Sequence, residues 1–155
     1  RNRRNAFLTE DGQLTAELTL RDYQYGTPGE GQEWTIDRDG TLNVTKVVAE
    51  KVLKPARKEG QLAKEELVTL AGVLGAQDFH KLPADVRSGS GANPRKFTIT
   101  FGEKTSALIL GSGQDIPKDT PRGGEQTSPQ ARFSAVVQTI QNIVENVKSE
   151  QGGKE

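Results

Sequence analysis

The stretch that decides the fold is residues 14–21, Leu-Thr-Ala-Glu-Leu-Thr-Leu-Arg, in which apolar and polar side chains alternate without a break. Successive side chains of an extended strand point to opposite faces. The apolar set on one face is Leu14, Ala16, Leu18 and Leu20. A period of two is typical of a half-buried strand, so the pattern predicts a sheet that is covered on one side. Tyr23 and Tyr25 continue the polar side, and we expect both tyrosines on the uncovered face.

Two more strands are predicted on either side of residues 37–40, Asp-Arg-Asp-Gly. A two-residue Asp-Gly loop would send the apolar residues of the two strands to opposite faces, because a shift of one residue reverses every side chain. A type I turn with the glycine in the left-handed conformation, as a bulge, instead sets Ile36 against Leu42 and Trp34 against Val44. We predict this second register, since it makes one continuous core face.

The remaining elements follow the same reasoning along the chain. Val47, Val48, Val52 and Leu53 predict an extension of the sheet, and the alternating residues 96–101 with residues 107–110 predict a hairpin. Apolar residues at helical spacing begin near Glu65 and Glu66 and predict a first helix that ends at Gly75.

A second helix is the clearest amphipathic segment of the chain. Ser128 is placed to cap it and Pro129 to open it, because proline fits the first helical position. Its apolar stripe consists of Phe133, Val136, Val137, Ile140, Ile143, Val144 and Val147.

The order of these elements predicts an α+β fold, with an antiparallel sheet of five or six strands and two helices packed on one face. The chain has 155 residues, the size of one ordinary domain. We expect a mobile N-terminal arm at residues 1–13, a single domain at residues 14–148 and a disordered tail at residues 149–155.

Composition argues against several classes of function. Lys plus Arg equals Asp plus Glu at 21 each, so the chain lacks the cationic surplus by which proteins bind nucleic acid. No apolar run approaches the ~20 residues that cross a bilayer, and we expect no transmembrane segment. The sequence has no cysteine and no methionine. From this we expect a processed, extracytoplasmic protein, periplasmic or secreted, whose removed N-terminus could have carried a lipid anchor.

Catalytic and cofactor motifs are weak throughout the sequence. His80 is the single histidine, and no Gly-x-Ser-x-Gly elbow accompanies it, so we interpret it as structural or exposed. Residues 37–40 resemble the start of a calcium loop, but Lys46 stands where a ligand glutamate is needed. The glycine-containing loops match no phosphate or dinucleotide motif. We therefore predict no catalytic residue, no metal ligand and no cofactor.

Two segments are candidate partner-binding surfaces. Tyr23 and Tyr25 are predicted to be exposed, and tyrosine is enriched at protein interfaces. Residues 111–127 form a predicted polar loop longer than most connections. Its candidate contact residues are Asp115, Lys118, Asp119 and Arg122. A basic run at residues 46–58 is interpreted as protection of an edge strand, with binding to an anionic surface as the alternative.

The succession of short motifs resembles a group of small secreted or lipid-anchored bacterial domains of unknown function. The motifs are the Asp39-Gly40 hairpin, Gly60 with Leu62, Glu65, Glu66 and Leu67, and Phe79 with Leu82 and Pro83. The overall shape is also similar to periplasmic domains of the peptidase-propeptide or lactamase-inhibitor type. This resemblance implies binding rather than catalysis.

Three functional hypotheses follow. The first is a non-enzymatic extracytoplasmic binding or accessory domain, whose partner is another protein or a component of the cell envelope. The second is a hydrolase inhibitor that inserts the loop of residues 111–127. The third is an enzyme that uses paired carboxylates in a cleft.

Overall fold

A computed structural model describes residues 6–53, 55–116 and 128–152 of the chain, with side chains described as far as residue 150. The helices are Lys64–Ala76 (α1) and Pro129–Gly152 (α2), and a 3₁₀ turn covers Phe79–Lys81. The strands are Leu18–Gln24 (β1), Glu30–Ile36 (β2), Thr41–Val48 (β3), Lys51–Val52 (β4), Arg57–Gln61 (β5), Asp85–Arg87 (β6), Arg95–Phe101 (β7) and Lys104–Leu110 (β8).

The described strands form one sheet in the order β4-β3-β2-β1-β7-β8-β6, with β5 also paired to β3. All pairs are antiparallel except β6 with β8. The predicted α+β class with two helices is confirmed, and the predicted antiparallel sheet is confirmed except for the parallel pair of β6 and β8. The predicted five or six strands are too few, because the sheet has eight. The two strands not predicted are β5 and β6, whose eight residues include one apolar side chain, Val86.

The predicted register of the hairpin between β2 and β3 is confirmed. Ile36 faces Leu42 and Trp34 faces Val44. Gly40 has a φ of 95°, and its N–H donates a hydrogen bond of 2.9 Å to the Asp37 carbonyl. The left-handed glycine therefore lets both strands place their apolar residues on one face. The strand predicted from Leu14 begins at Leu18, and Leu14 is instead buried beside an isolated bridge to Leu8.

The core lies between this face and the two helices. Buried residues of α1 and α2 belong to the same cluster as Leu18 and Leu20. In α2, every residue of the predicted apolar stripe is buried. The Ser128 hydroxyl accepts a hydrogen bond of 3.0 Å from the Ala131 N–H, as predicted for a cap.

Three predicted boundaries differ from the structure. The helix α1 continues past Gly75 to Ala76, and the left-handed residue that follows it is Asp78, with a φ of 54°. The helix α2 continues to Gly152, four residues into the predicted tail. Phe7, from the predicted arm, is only 4% exposed, and its ring stacks on His80 at 4.7 Å and meets Phe101 edge-on at 5.2 Å. The rings of Phe7, His80 and Phe101 therefore cover the end of the core beside the 3₁₀ turn.

Within the described ranges, neither helix combines the length and apolar character that a membrane span needs.

Candidate functional site

The face of the sheet opposite the core is polar and carries a hollow of about 330 Å³. Side chains from β1, β2 and β7 form its floor. Alternate residues of a strand lie on the same face of the sheet, and the pairing of the three strands places these residues side by side. The hollow is lined by Thr19, Arg21, Tyr23, Tyr25, Glu33, Glu50, Lys96, Thr98 and Thr100. This open face, with its hollow, is the candidate site.

Tyr23 lies on the predicted side of the sheet, but the prediction that it is exposed is wrong. Its side chain is only 4% exposed. The ring packs against the backbone of Gly29, where a Cβ atom would collide with the Tyr23 hydroxyl. Gly31 is directly opposite Tyr23 in β2, and a side chain there would strike the β1 backbone. Because Gly29 and Gly31 have no side chains, the Tyr23 ring can pack against the backbone. Its position on the open face of the sheet would by itself predict an exposed ring.

The Tyr23 hydroxyl holds an unusual turn in place. It accepts a hydrogen bond of 2.8 Å from the backbone N–H of Glu50. Ala49 and Glu50 connect β3 to β4 and have φ values of 51° and 63°, in the left-handed region that L-residues rarely adopt. The Ala49 N–H also donates to the Gly29 carbonyl at 2.8 Å. Tyr23 is thus a structural brace that joins the β1–β2 loop to the β3–β4 turn.

Tyr25 is the tyrosine that remains available at the surface. It is half-buried, and its ring meets Tyr23 edge-on at 4.8 Å. Partial burial raises the pKa of the Tyr25 hydroxyl, and the nearby Glu50 carboxylate and Tyr23 add to the rise, which Arg21 opposes. The hydroxyl therefore stays protonated at neutral pH and can both donate and accept hydrogen bonds. We call Tyr23, Tyr25, Gly29, Ala49 and Glu50 the tyrosine corner.

Charged side chains of both signs cross the open face. Arg21 donates to Glu33 at 2.9 Å, and both side chains are partly shielded from water. Near the other end of β1, a hydrogen bond joins the carboxyl groups of Glu17 and Asp37. Glu17 is exposed, but partial loss of hydration, this bond, and the charges of Asp37 and Glu33 still raise the pKa of its carboxyl group. Neither Glu17 nor Asp37 lines the hollow.

The first part of the predicted long loop is anchored to the ends of β1 and β7. Arg95 forms a two-pronged ion pair with Asp22, at 3.0 and 2.8 Å, and donates to the Gln114 carbonyl at 3.1 Å. The Gln24 side chain accepts from the Gly113 N–H at 3.1 Å, and Ile116 is buried. Residues 111–116 are therefore fixed to β1 and β7.

The candidate contact residues fall into three groups. Tyr23 and Tyr25 touch each other, although only Tyr25 keeps a surface for a partner. Asp115 is exposed on the anchored loop, 3.5 Å from Arg95. Lys118, Asp119 and Arg122 lie outside the described residues.

Several residues of the open face were not singled out from the sequence. Arg21 and Thr19 are polar residues of the alternating stretch 14–21, and this alternation is a signal that could have identified them. Lys96 and Thr98 have the same alternation in β7. Arg95 and Gln24 gave no such signal, because their role depends on contacts with residues that are distant in sequence.

His80 and Asp39, which belong to the weak catalytic and calcium-binding motifs, both make structural contacts. His80 is exposed and stacks on Phe7. Asp39 accepts hydrogen bonds from the N–H and hydroxyl of Thr41, at 3.0 and 2.9 Å, which accounts for it as a turn residue. In the part of the chain that the structure describes, no three His, Cys, Asp or Glu side chains are grouped as metal ligands would be.

No protein-family model matches the chain, and no curated protein sequence matches it significantly. The resemblance to small secreted bacterial domains therefore stays a prediction.

Proposed function

We propose that this chain is a non-enzymatic binding domain that acts outside the cytoplasm and docks a protein of the cell envelope through its open sheet face. The observation that carries the proposal is Tyr25, a half-buried aromatic ring held at the rim of a polar hollow. Anchor residues at protein interfaces are commonly tyrosines that are already ordered before binding, because less conformational entropy is then lost.

The surroundings of Tyr25 support this role. The ring leans on Tyr23, and Tyr23 is fixed by the Glu50 N–H and by the two glycines. Threonine hydroxyls and the charges of Arg21, Glu33 and Lys96 surround it, which is the composition of a polar interface rim. The lack of cysteine in all 155 residues supports the extracytoplasmic address.

The test compares partner recovery by three forms of the chain. Tyr25→Ala removes the anchor, while Tyr23 is left intact because it is structural. Val68→Ala is the matched control, since Val68 is an exposed apolar residue of α1 with 52% of its surface accessible. We expect a cell-envelope protein to be enriched by the wild type and by the control but lost with Tyr25→Ala. For the purified partner, calorimetry should show a loss of about 2 kcal/mol in binding free energy. Equal recovery by all three forms would contradict the proposal.

The anchored loop favours one second function, inhibition of a hydrolase. Inhibitory loops are rigid before binding, which limits the entropy lost on complex formation. The contacts of Arg95, Gln24 and Ile116 provide such rigidity at residues 111–116. The test is inhibition of a panel of secreted proteases and glycosidases by the wild type and by Arg95→Gln. A potency that falls with the variant supports inhibition, and no inhibition by the wild type rejects it.

A further inference from the structure

A second hollow, of about 450 Å³, lies on the helix-covered side of the sheet between α2 and β2. Its volume is within the range of about 300–1,000 Å³ that is usual for small-molecule sites. The lining residues are Leu20, Trp34, Gln138, Gln141, Asn142, Val144 and Glu145. We call this hollow the Trp34 groove. It is on the face opposite the tyrosine corner, so nothing in its argument depends on the function proposed above.

The floor of the Trp34 groove is apolar and aromatic. Leu20 and Val144 are buried at 1% and 5% exposure and form its base. Trp34 is only half-buried, although Ile36, two residues further along the same face of β2, is 1% exposed. The indole therefore keeps part of its surface in the groove, where it offers a wide apolar plane and an N–H donor.

The wall of the groove is a row of polar side chains from one face of α2, three amides and one carboxylate. Gln138, Gln141, Asn142 and Glu145 follow the helical spacing of three and four residues, which stacks them on the same side. An amide side chain carries both a donor and an acceptor. Asn142 is exposed and Gln141 is half-buried, so both amides can reach a ligand in the groove.

This lining selects the chemistry of the ligand. No Lys, Arg or His lines the groove, and the Glu145 carboxylate would repel an anion. The same carboxylate can accept hydrogen bonds from hydroxyl groups. A purely apolar ligand would take water from the amides without replacing its hydrogen bonds, which is unfavourable. A sugar ring has an apolar C–H face and a perimeter of hydroxyls that both donate and accept. We propose that the Trp34 groove binds a neutral saccharide of one or two rings, stacked on Trp34 and hydrogen-bonded to Gln141 and Asn142.

The single tryptophan of the chain makes the proposal directly measurable. Trp34 fluorescence is followed while the intact chain is titrated with glucose, galactose, mannose, N-acetylglucosamine, cellobiose and N,N′-diacetylchitobiose. We expect a saturable change in emission with at least one of these probes. Hexanol serves as the apolar comparison, and we expect it to produce no saturable change.

The matched variants test whether the change comes from the groove. Gln141→Ala/Asn142→Ala removes two side chains that lie outside the core, and we expect about tenfold weaker binding of the responding saccharide. Asn146→Ala is the control, because Asn146 is an exposed amide of the same helix that lines a different hollow, between α1 and α2. Its affinity should equal that of the wild type. The proposal is overturned if no saccharide gives a saturable response, if the double variant responds like the wild type, or if hexanol alone saturates.

Discussion

At the scale of single residues, Tyr23 shows that the face of a strand residue and its exposure are separate questions. The alternation of residues 14–21 correctly places it opposite the core. Its burial depends on Gly29 and Gly31, whose missing side chains let the ring lie against the backbone. Local sequence patterns predict which face a side chain is on, but contacts across the sheet decide how much water it meets.

Tyr23→Phe should destabilise the chain by about 1 kcal/mol, because the Glu50 N–H loses its acceptor while the ring still fills its space. Urea unfolding followed by circular dichroism measures the change. Tyr25→Phe is the control and should have a smaller effect, since its hydroxyl is at the rim of the hollow. A larger loss in Tyr25→Phe would show that the hydroxyl of Tyr23 is not the brace.

Glu17 gives a pH-dependent prediction. Partial loss of hydration, the hydrogen bond with Asp37 and the neighbouring carboxylates raise its pKa in the folded chain, so folding favours the protonated form. The folded state then binds more protons than the unfolded state, and stability falls as the pH rises through the unfolded and then the folded pKa. Glu17→Gln should therefore be more stable than the wild type at about pH 7 and equal to it at about pH 3.

The control for this prediction is Glu103→Gln, a carboxylate in the turn between β7 and β8 that is exposed, as Glu17 is. It should shift the unfolding free energy far less than Glu17→Gln at neutral pH. If Glu17→Gln lowers stability at about pH 7, the carboxyl pair is stabilising and the sign of the prediction is wrong.

At the scale of elements, the structure departs from prediction where strands carry few apolar residues. The strand β5 reads Arg-Lys-Glu-Gly-Gln, with no hydrophobic residue to produce a period. It forms through backbone pairing with β3, including a register shift between Leu42 and Asn43. In contrast, α2 and the hairpin between β2 and β3 bury regular apolar sets, and their patterns were sufficient to predict them.

The turn between β3 and β4 is an element whose sequence conflicts with its conformation. Two-residue hairpin turns with both φ values positive favour Asn followed by Gly, whereas this chain has Ala49 and Glu50. The double substitution Ala49→Asn/Glu50→Gly should raise the unfolding free energy by about 1–2 kcal/mol, because it removes left-handed strain. Thermal and urea unfolding measure this gain, and an unchanged or lower stability would contradict it.

At the scale of the whole molecule, the core extends beyond the domain boundary that the sequence suggested. Residues 1–13 contain few apolar groups, so nothing in their pattern marked Phe7 as part of the core. Its burial depends on Phe101 and His80, which are more than 70 positions away in the sequence. The candidate site was also predicted only in part. The alternation of residues in the strands predicted the open face. The Tyr23 brace, the anchored loop and the Trp34 groove depend on contacts between residues that are distant in sequence.

Phe7→Ala should lower the unfolding free energy by about 3–5 kcal/mol, as expected when a buried phenylalanine is truncated. His80→Ala, which removes the exposed partner of the stack, should cost about 1 kcal/mol or less. Calorimetric melting of both variants provides the comparison. Equal melting temperatures for Phe7→Ala and the wild type would mean that this end of the core contributes nothing.

The central place of β1 has a consequence for how the chain is made. One edge of β1 pairs with β2, which follows it directly, but the other pairs with β7, so that Asp22 bonds to Arg95 across 73 positions. In a nascent chain, β1, β2 and β3 can therefore pair soon after they leave the ribosome. The other edge of β1 stays unpaired until residue 101 has emerged. Long-range pairing of this kind slows folding and exposes the waiting edge to other chains. A chaperone that masks β1 during synthesis should consequently raise the yield of native protein more than one that acts after release.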